Sequence, residues 1–145
     1  MNDKAEILVI ASDPETRKAL SSILQTEGLN SLQASQLSEG RALLANKSVG
    51  LVFCERRLAD GTYLDLLPVA QSSHRKVPVV VTSRLADWDE YLEALRHGAV
   101  DLIPSPFKPS DVSSAIAQAR REAPESVSAD KDNSHLDAKL RVLTA

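Results

Sequence analysis

A doubly wound α/β fold, with one parallel sheet covered by helices on both faces, follows from three features of this 145-residue sequence. Five short apolar runs recur at even spacing, and segments of helical period separate them in strict alternation. The clearest runs are continuous rather than alternating, which marks strands buried on both faces. Such β-α alternation requires parallel strands joined by right-handed crossovers.

The elements follow in order. Ile7 to Ala11 is the first strand. Pro14 to about Glu27 is the first helix, with Ala19, Leu20, Ile23 and Leu24 on one stripe. Asp13 suits its N-cap, Pro14 its first position and Gly28 its left-handed C-terminal cap. Leu29 to Ala34 is a weaker, mixed second strand, followed by a helix around Ser38 to Asn46. Leu51 to Cys54 reads as the third strand. The next helix, about Thr62 to Ser72, contains Pro68, which should bend or shorten it. Val79 to Val81 is the fourth strand. The helix after it opens on Asp87 and Glu90, an acidic version of the capping box, and Gly98 closes it. Val100 to Ile103 is the fifth strand, and a last helix from about Pro109 shows Val112, Ala115, Ile116 and Ala119 on one face.

Residues 1–122 are therefore expected to form one domain, large enough for a real core. Residues 123–145 read as a polar tail, where Leu136, Leu140 and Leu143 have the spacing of a short amphipathic helix. A formal net charge of −3 argues against a chain whose main task is nucleic-acid binding. No apolar stretch is long enough to span a membrane and no signal core opens the chain, so the cytoplasm is the expected compartment. The single Cys54 lies in an apolar run and reads as a buried, reduced thiol. His74, His97 and His135 are scattered, and none pairs with a second ligand at metal spacing. No glycine-rich phosphate loop follows a strand.

Four pieces of sequence carry a resemblance: Ile7 to Pro14; Leu51 to Glu55 with Leu58-Ala59-Asp60-Gly61 behind it; Val77-Pro78; and Gly98-Ala99 leading to Pro106-Phe107. In order and at this spacing, residues 5 to about 122 resemble a response-regulator receiver domain of two-component signalling, and of a degenerate kind. The resemblance implies a flavodoxin-like (βα)5 fold with sheet order 2-1-3-4-5. It also implies a site at the C-terminal strand ends, most of whose family residues are replaced.

The acidic pair that holds Mg²⁺ in the family maps onto Ala11 and Ser12, with Asp13 one position late and expected to cap the helix. Magnesium wants hard oxygen donors in octahedral array, so its binding is expected to be weak or absent and no cofactor is implied. The phospho-accepting Asp maps onto Glu55, whose extra methylene moves the nucleophilic oxygen by more than about 1 Å, a shift that can cost around a hundredfold. The family's lysine maps onto Ser105, its switch hydroxyl onto Ser83 and its aromatic switch partner onto Leu102. Glu55 then either imitates the phosphorylated state and holds Ser83 inward, or is a tolerated carboxylate in an inactive site. Without metal or lysine it needs compensation or water. Arg56, Arg57 and Arg84 are candidate ion-pair partners, Arg84 foremost.

The implied function is a non-enzymatic signalling and interaction module of a phosphorelay that lacks the phosphorylation chemistry. Its expected partners are proteins: a histidine kinase, another regulator, or a second copy through the face formed by the fourth helix, fifth strand and fifth helix. Trp88, Tyr91 and the surrounding charges are candidate contacts there, and the acidic cluster Asp87, Asp89, Glu90 and Glu93 reads as a solvated helix face or, alternatively, as a docking face. No direct nucleic-acid or membrane contact is expected. Two alternatives stand beside this reading. One is a working phosphoacceptor using Glu55 or Asp60; the other is a small-molecule-binding domain of flavodoxin-like fold.

Overall fold

The computed structural model describes residues 5–72 and 76–121. The expected tail lies outside the described residues, as do His74 and His135. The sheet holds five parallel strands, β1 (Glu6–Ile10), β2 (Ser31–Ala34), β3 (Val49–Glu55), β4 (Val79–Ser83) and β5 (Asp101–Pro104). Their order is β2-β1-β3-β4-β5. The helices are α1 (Pro14–Thr26), α2 (Leu37–Asn46), α3 (Tyr63–Ser72), α4 (Trp88–Arg96) and α5 (Pro109–Arg121). This is the doubly wound, flavodoxin-like arrangement that the sequence led us to expect.

Alternation along the strands builds two cores, because successive side chains leave opposite faces. Leu8, Ile10, Val52, Cys54, Val79, Val81 and Leu102 pack with Leu37, Leu66, Leu67 and Ala94 from α2, α3 and α4. Ile7, Val9, Leu51, Phe53, Val80 and Ile103 pack with Leu20 and Leu24 of α1 and with Val112, Ala115, Ile116 and Ala119 of α5. The central strands are thus covered on both sides, which explains their unbroken apolar runs. Cys54 is fully buried, and desolvation, with smaller contributions from the Glu55 and Asp60 charges, pushes its thiol well up.

The marked helix ends form as expected. Asp13 accepts from Glu15 N–H at 3.0 Å, and Gly28 takes φ +75° just past α1. Pro68 neither ends nor shortens its helix, which continues to Ser72. It stands at the sixth helical position, so the missing N–H forfeits a single bond, to the Leu64 carbonyl. β3 begins at Val49, earlier than its apolar run, because Val49 pairs with Glu6 where the register shifts.

One element has no counterpart in the sequence reading. Arg57–Leu58 and Gly61–Thr62 form a small antiparallel hairpin after β3, with Ala59 and Asp60 at its turn. Asp60 reaches α2 from there, and its two carboxylate oxygens accept Leu37 N–H at 2.8 Å and Ser38 N–H at 3.0 Å. The residue at the N-cap of α2, Gln36, makes no side-chain capping bond. Asp60 therefore caps that helix from another part of the chain, and the two N–H bonds hold its carboxyl below the usual range.

Candidate functional site

The C-terminal ends of β1, β3, β4 and β5 converge on a cleft of about 390 Å³, lined by Ser12, Asp13, Glu55, Ser83, Arg84 and Ser105 among others. In a parallel sheet these ends are where loops bring polar side chains together over a rigid apolar base. Most of the residues singled out from sequence do meet here. Ala11 and Leu102 do not line the cleft; both are buried in the sheet beneath it.

Glu55 ends β3 and stands opposite the β1–α1 loop. Its Oε1 accepts Ser12 N–H at 3.0 Å and Ser12 Oγ–H at 2.9 Å. Asp13 faces its own helix, accepting from Glu15 N–H and, at 3.5 Å, from Thr16 Oγ1–H. From behind, Arg17 donates to the carbonyls of Ala11 and Ser12 at 2.5 and 3.2 Å, which pins the end of β1.

The candidate ion pair between Arg84 and Glu55 is not formed. Arg84 and Arg57 are exposed, and the ion pairs at this edge belong to Arg56. Its Nε lies 3.4 Å from Glu90 Oε2, and its Nη2 lies 4.0 Å from Glu93 Oε1. Glu55 manages without a cation because it is only half-buried, so water screens its charge while Ser12 satisfies one oxygen.

Of the two alternatives for Glu55, a hold on Ser83 has no hydrogen bond in support: the Ser83 hydroxyl is directed at Glu90. Ser83 is 8% exposed, and its hydroxyl donates to Glu90 Oε1 at 2.6 Å. That same oxygen accepts the Ala86 N–H at 3.0 Å. The acidic capping box is therefore only half realised. Asp87 caps α4 by accepting Glu90 N–H at 2.9 Å, while the Glu90 side chain reaches past Asp87 to Ala86 and Ser83.

The acidic cluster on α4 is consequently not a uniform solvated face. The Glu90 side chain is 11% exposed. Glu93 accepts from Tyr63 Oη–H at 3.4 Å; desolvation first, and this carboxylate second, push the phenol up to about 12. Tyr91 is buried against Trp88, their rings stacked with centroids 5.5 Å apart, so Tyr91 offers no surface contact. Ser105 lines the cleft just before a cis peptide bond to Pro106, and its N–H donates to Ser83 O at 3.0 Å. Among the described residues, no group of three or more His, Cys, Asp and Glu side chains is placed to hold a metal ion. None of the described helices is long and apolar enough to cross a membrane.

Fold and cleft define a doubly wound module whose polar site sits on the C-terminal edge of a parallel sheet. The chain belongs to the response regulator receiver domain family, whose sequence profile matches residues 7–117. It is 30% identical over 131 residues to the response regulator protein PilR of Pseudomonas aeruginosa, a match covering 90% of this chain and 29% of that protein. It is 28% identical over 115 residues to the DNA-binding transcriptional regulator NtrC of Salmonella typhimurium, covering 79% of this chain and 24% of NtrC. The chain thus spans less than a third of each of these two relatives. Among solved structures, a CheY-like receiver domain from Methanospirillum hungatei superposes with a TM-score of 0.69 at 24% identity, covering 79% of this chain and 91% of that one. The beryllofluoride-activated NtrC4 receiver domain dimer gives 0.73 at 18% identity, covering 81% and 98%. These likenesses show the fold. The chain is accordingly a receiver domain of the two-component response-regulator type.

Proposed function

We propose that this receiver domain signals without phosphoryl transfer, as a non-enzymatic module whose conformation is set by its own contacts and by protein partners. The observation that carries the reading is the state of Glu55. At the position that aligns with the family's phosphoacceptor stands a carboxylate tied to the amide and hydroxyl of Ser12, where the family would place a metal-binding acid.

The neighbouring groups support the same conclusion. Ala11 supplies no donor side chain, Ser12 supplies a neutral one, and the Asp13 carboxylate is engaged at the start of α1. Arg56, Arg57 and Arg84 are also among the residues that line the same cleft. This donor set does not fit Mg²⁺, which demands several hard oxygens in near-ideal octahedral array. Ser105 stands where the family's lysine would steady phosphoryl charge. Phosphoryl transfer depends almost wholly on positioning and charge neutralisation, and both are reduced here.

Asp60 is a poor alternative acceptor, because each of its carboxylate oxygens already takes an amide of α2. The partners this reading implies are a histidine kinase, another regulator or a second copy of the chain, in the cytoplasm. DNA binding, named for full-length NtrC, has no basis in this acidic domain.

Incubation with acetyl phosphate and Mg²⁺, followed by intact mass measurement, tests the proposal. No phosphoryl adduct is expected over hours. A stoichiometric adduct mapped to Glu55 or Asp60 would overturn it.

A further inference from the structure

The loop that enters α4 is strained and braced at the same time. Ala86 has φ +47°, a left-handed conformation that a residue with a Cβ seldom keeps unless its surroundings enforce it. The enforcing contacts converge on one atom. Glu90 Oε1 accepts the Ser83 hydroxyl at 2.6 Å and the Ala86 N–H at 3.0 Å, and Ala86 N–H also lies 3.3 Å from Ser83 Oγ. The end of β4, the loop and the first turn of α4 are thereby closed into a ring through a single carboxylate oxygen.

The second oxygen of Glu90 shows which contacts dominate. It lies 3.4 Å from Arg56 Nε, yet that buried nitrogen has no aligned hydrogen-bond acceptor. Ser83 and Ala86 therefore orient the carboxylate, and Arg56 contributes charge without a hydrogen bond of its own. Charge-assisted bonds of this kind are about twice as strong as neutral ones, and the shielding of Glu90 from water preserves that strength.

A serine hydroxyl has one proton to donate. In this domain that proton is directed at Glu90, and Glu55 is occupied by Ser12. We propose that Glu90 is an internal latch for the switch hydroxyl. It holds Ser83, the β4–α4 loop and the first turn of α4 in one arrangement, whatever the chemical state of position 55. The regulatory meaning rests on reading Ser83 as the switch position of a phosphate-independent receiver; the latch itself stands on the contacts around Glu90.

Amide hydrogen exchange on the full chain, with no phosphodonor and no metal added, tests the latch separately from phosphoryl chemistry. The Ala86 amide is expected to exchange about tenfold or more faster in Glu90→Ala than in the wild type, while amides of β1 and β3 stay within about twofold. Glu90→Gln keeps an accepting oxygen but loses the charge, so it should retain part of the protection and exchange more slowly than Glu90→Ala. The fluorescence of Trp88, the only tryptophan of the chain and the first residue of α4, should change with Glu90→Ala and not with Glu90→Gln. Unchanged Ala86 exchange in Glu90→Ala would overturn the proposal, as would a Gln variant as unprotected as the Ala variant. Should Glu90→Ala fail to fold, Ser83→Ala removes only a hydroxyl and decides alone: several-fold faster exchange at Ala86 supports the latch, and a wild-type rate refutes it.

Discussion

Two stretches of the same sheet edge use polar groups in opposite ways. Where β1 and β3 end, Glu55 is matched by a neutral serine and an amide, and Asp13 serves only its own helix. Where β4 meets α4, Arg56, Glu90, Glu93, Ser83 and Tyr63 are interlocked across α3, β4, α4 and the end of β3. Among the described residues, the first region makes no ion pair through Glu55 or Asp13, and its mutual commitments are weak. The second is a network in which each charged group has an opposite partner, and such networks hold one geometry because breaking any member strands another. The contacts that position α4 are thus supplied by the β4–α4 side of the sheet edge, independently of the Ser12–Glu55 pair at the other side.

Three substitutions test that contrast. The largest effect is expected on the β4–α4 side. Glu90→Ala strands the half-buried Arg56 and a buried hydroxyl, and should lower unfolding free energy by roughly 2–3 kcal/mol, read from urea denaturation. An effect below about 0.5 kcal/mol would erase the contrast.

An intermediate effect, with a pH signature, is expected at Asp60. The capping N–H bonds lower its folded carboxyl pKa, so its stabilisation is fully present above the unfolded value of about 4 and is lost as pH falls through the lower folded value. Asp60→Asn should reduce the urea midpoint at pH 7, and the gap to wild type should close as the pH is lowered from about 4 towards 2. A gap that persists unchanged at pH 2 would mean that the charge of Asp60 is not what caps α2.

The smallest effect belongs to the β1–β3 side. Ser12→Ala removes one exposed hydroxyl bond to Glu55 and should change stability by less than about 1 kcal/mol. A loss as large as that of Glu90→Ala would show that the two rims are equally committed.

The fold was legible because local and global signals agree: unbroken runs such as Ile7 to Ile10, and helix ends marked by Asp13, Gly28 and Gly98. The meeting of Ser12, Glu55, Ser83 and Ser105 at one cleft was legible for the same reason, since each follows a strand. What escaped were contacts that depend on loop geometry. The spacing of Asp87 and Glu90 indicates a capping box, but the left-handed Ala86 brings Ser83 within reach of Glu90 and redirects that side chain. Asp60 stands out in the sequence only within Leu58 to Gly61 and as an alternative acceptor; the hairpin around it is what brings it to α2, whose Gln36 makes no side-chain cap. Among three arginines near Glu55 the sequence favoured Arg84, whereas the acids of α4 hold Arg56, a partnership between elements that spacing alone does not reveal.

One titration decides whether the β1–β3 rim supports phosphoryl chemistry. Titrating the isotope-labelled chain with beryllofluoride and Mg²⁺, while recording amide resonances, addresses it most directly. The amides of Ser12, Glu55 and Ser83 are expected to stay at their starting positions throughout. Saturable shifts at those three residues would contradict it.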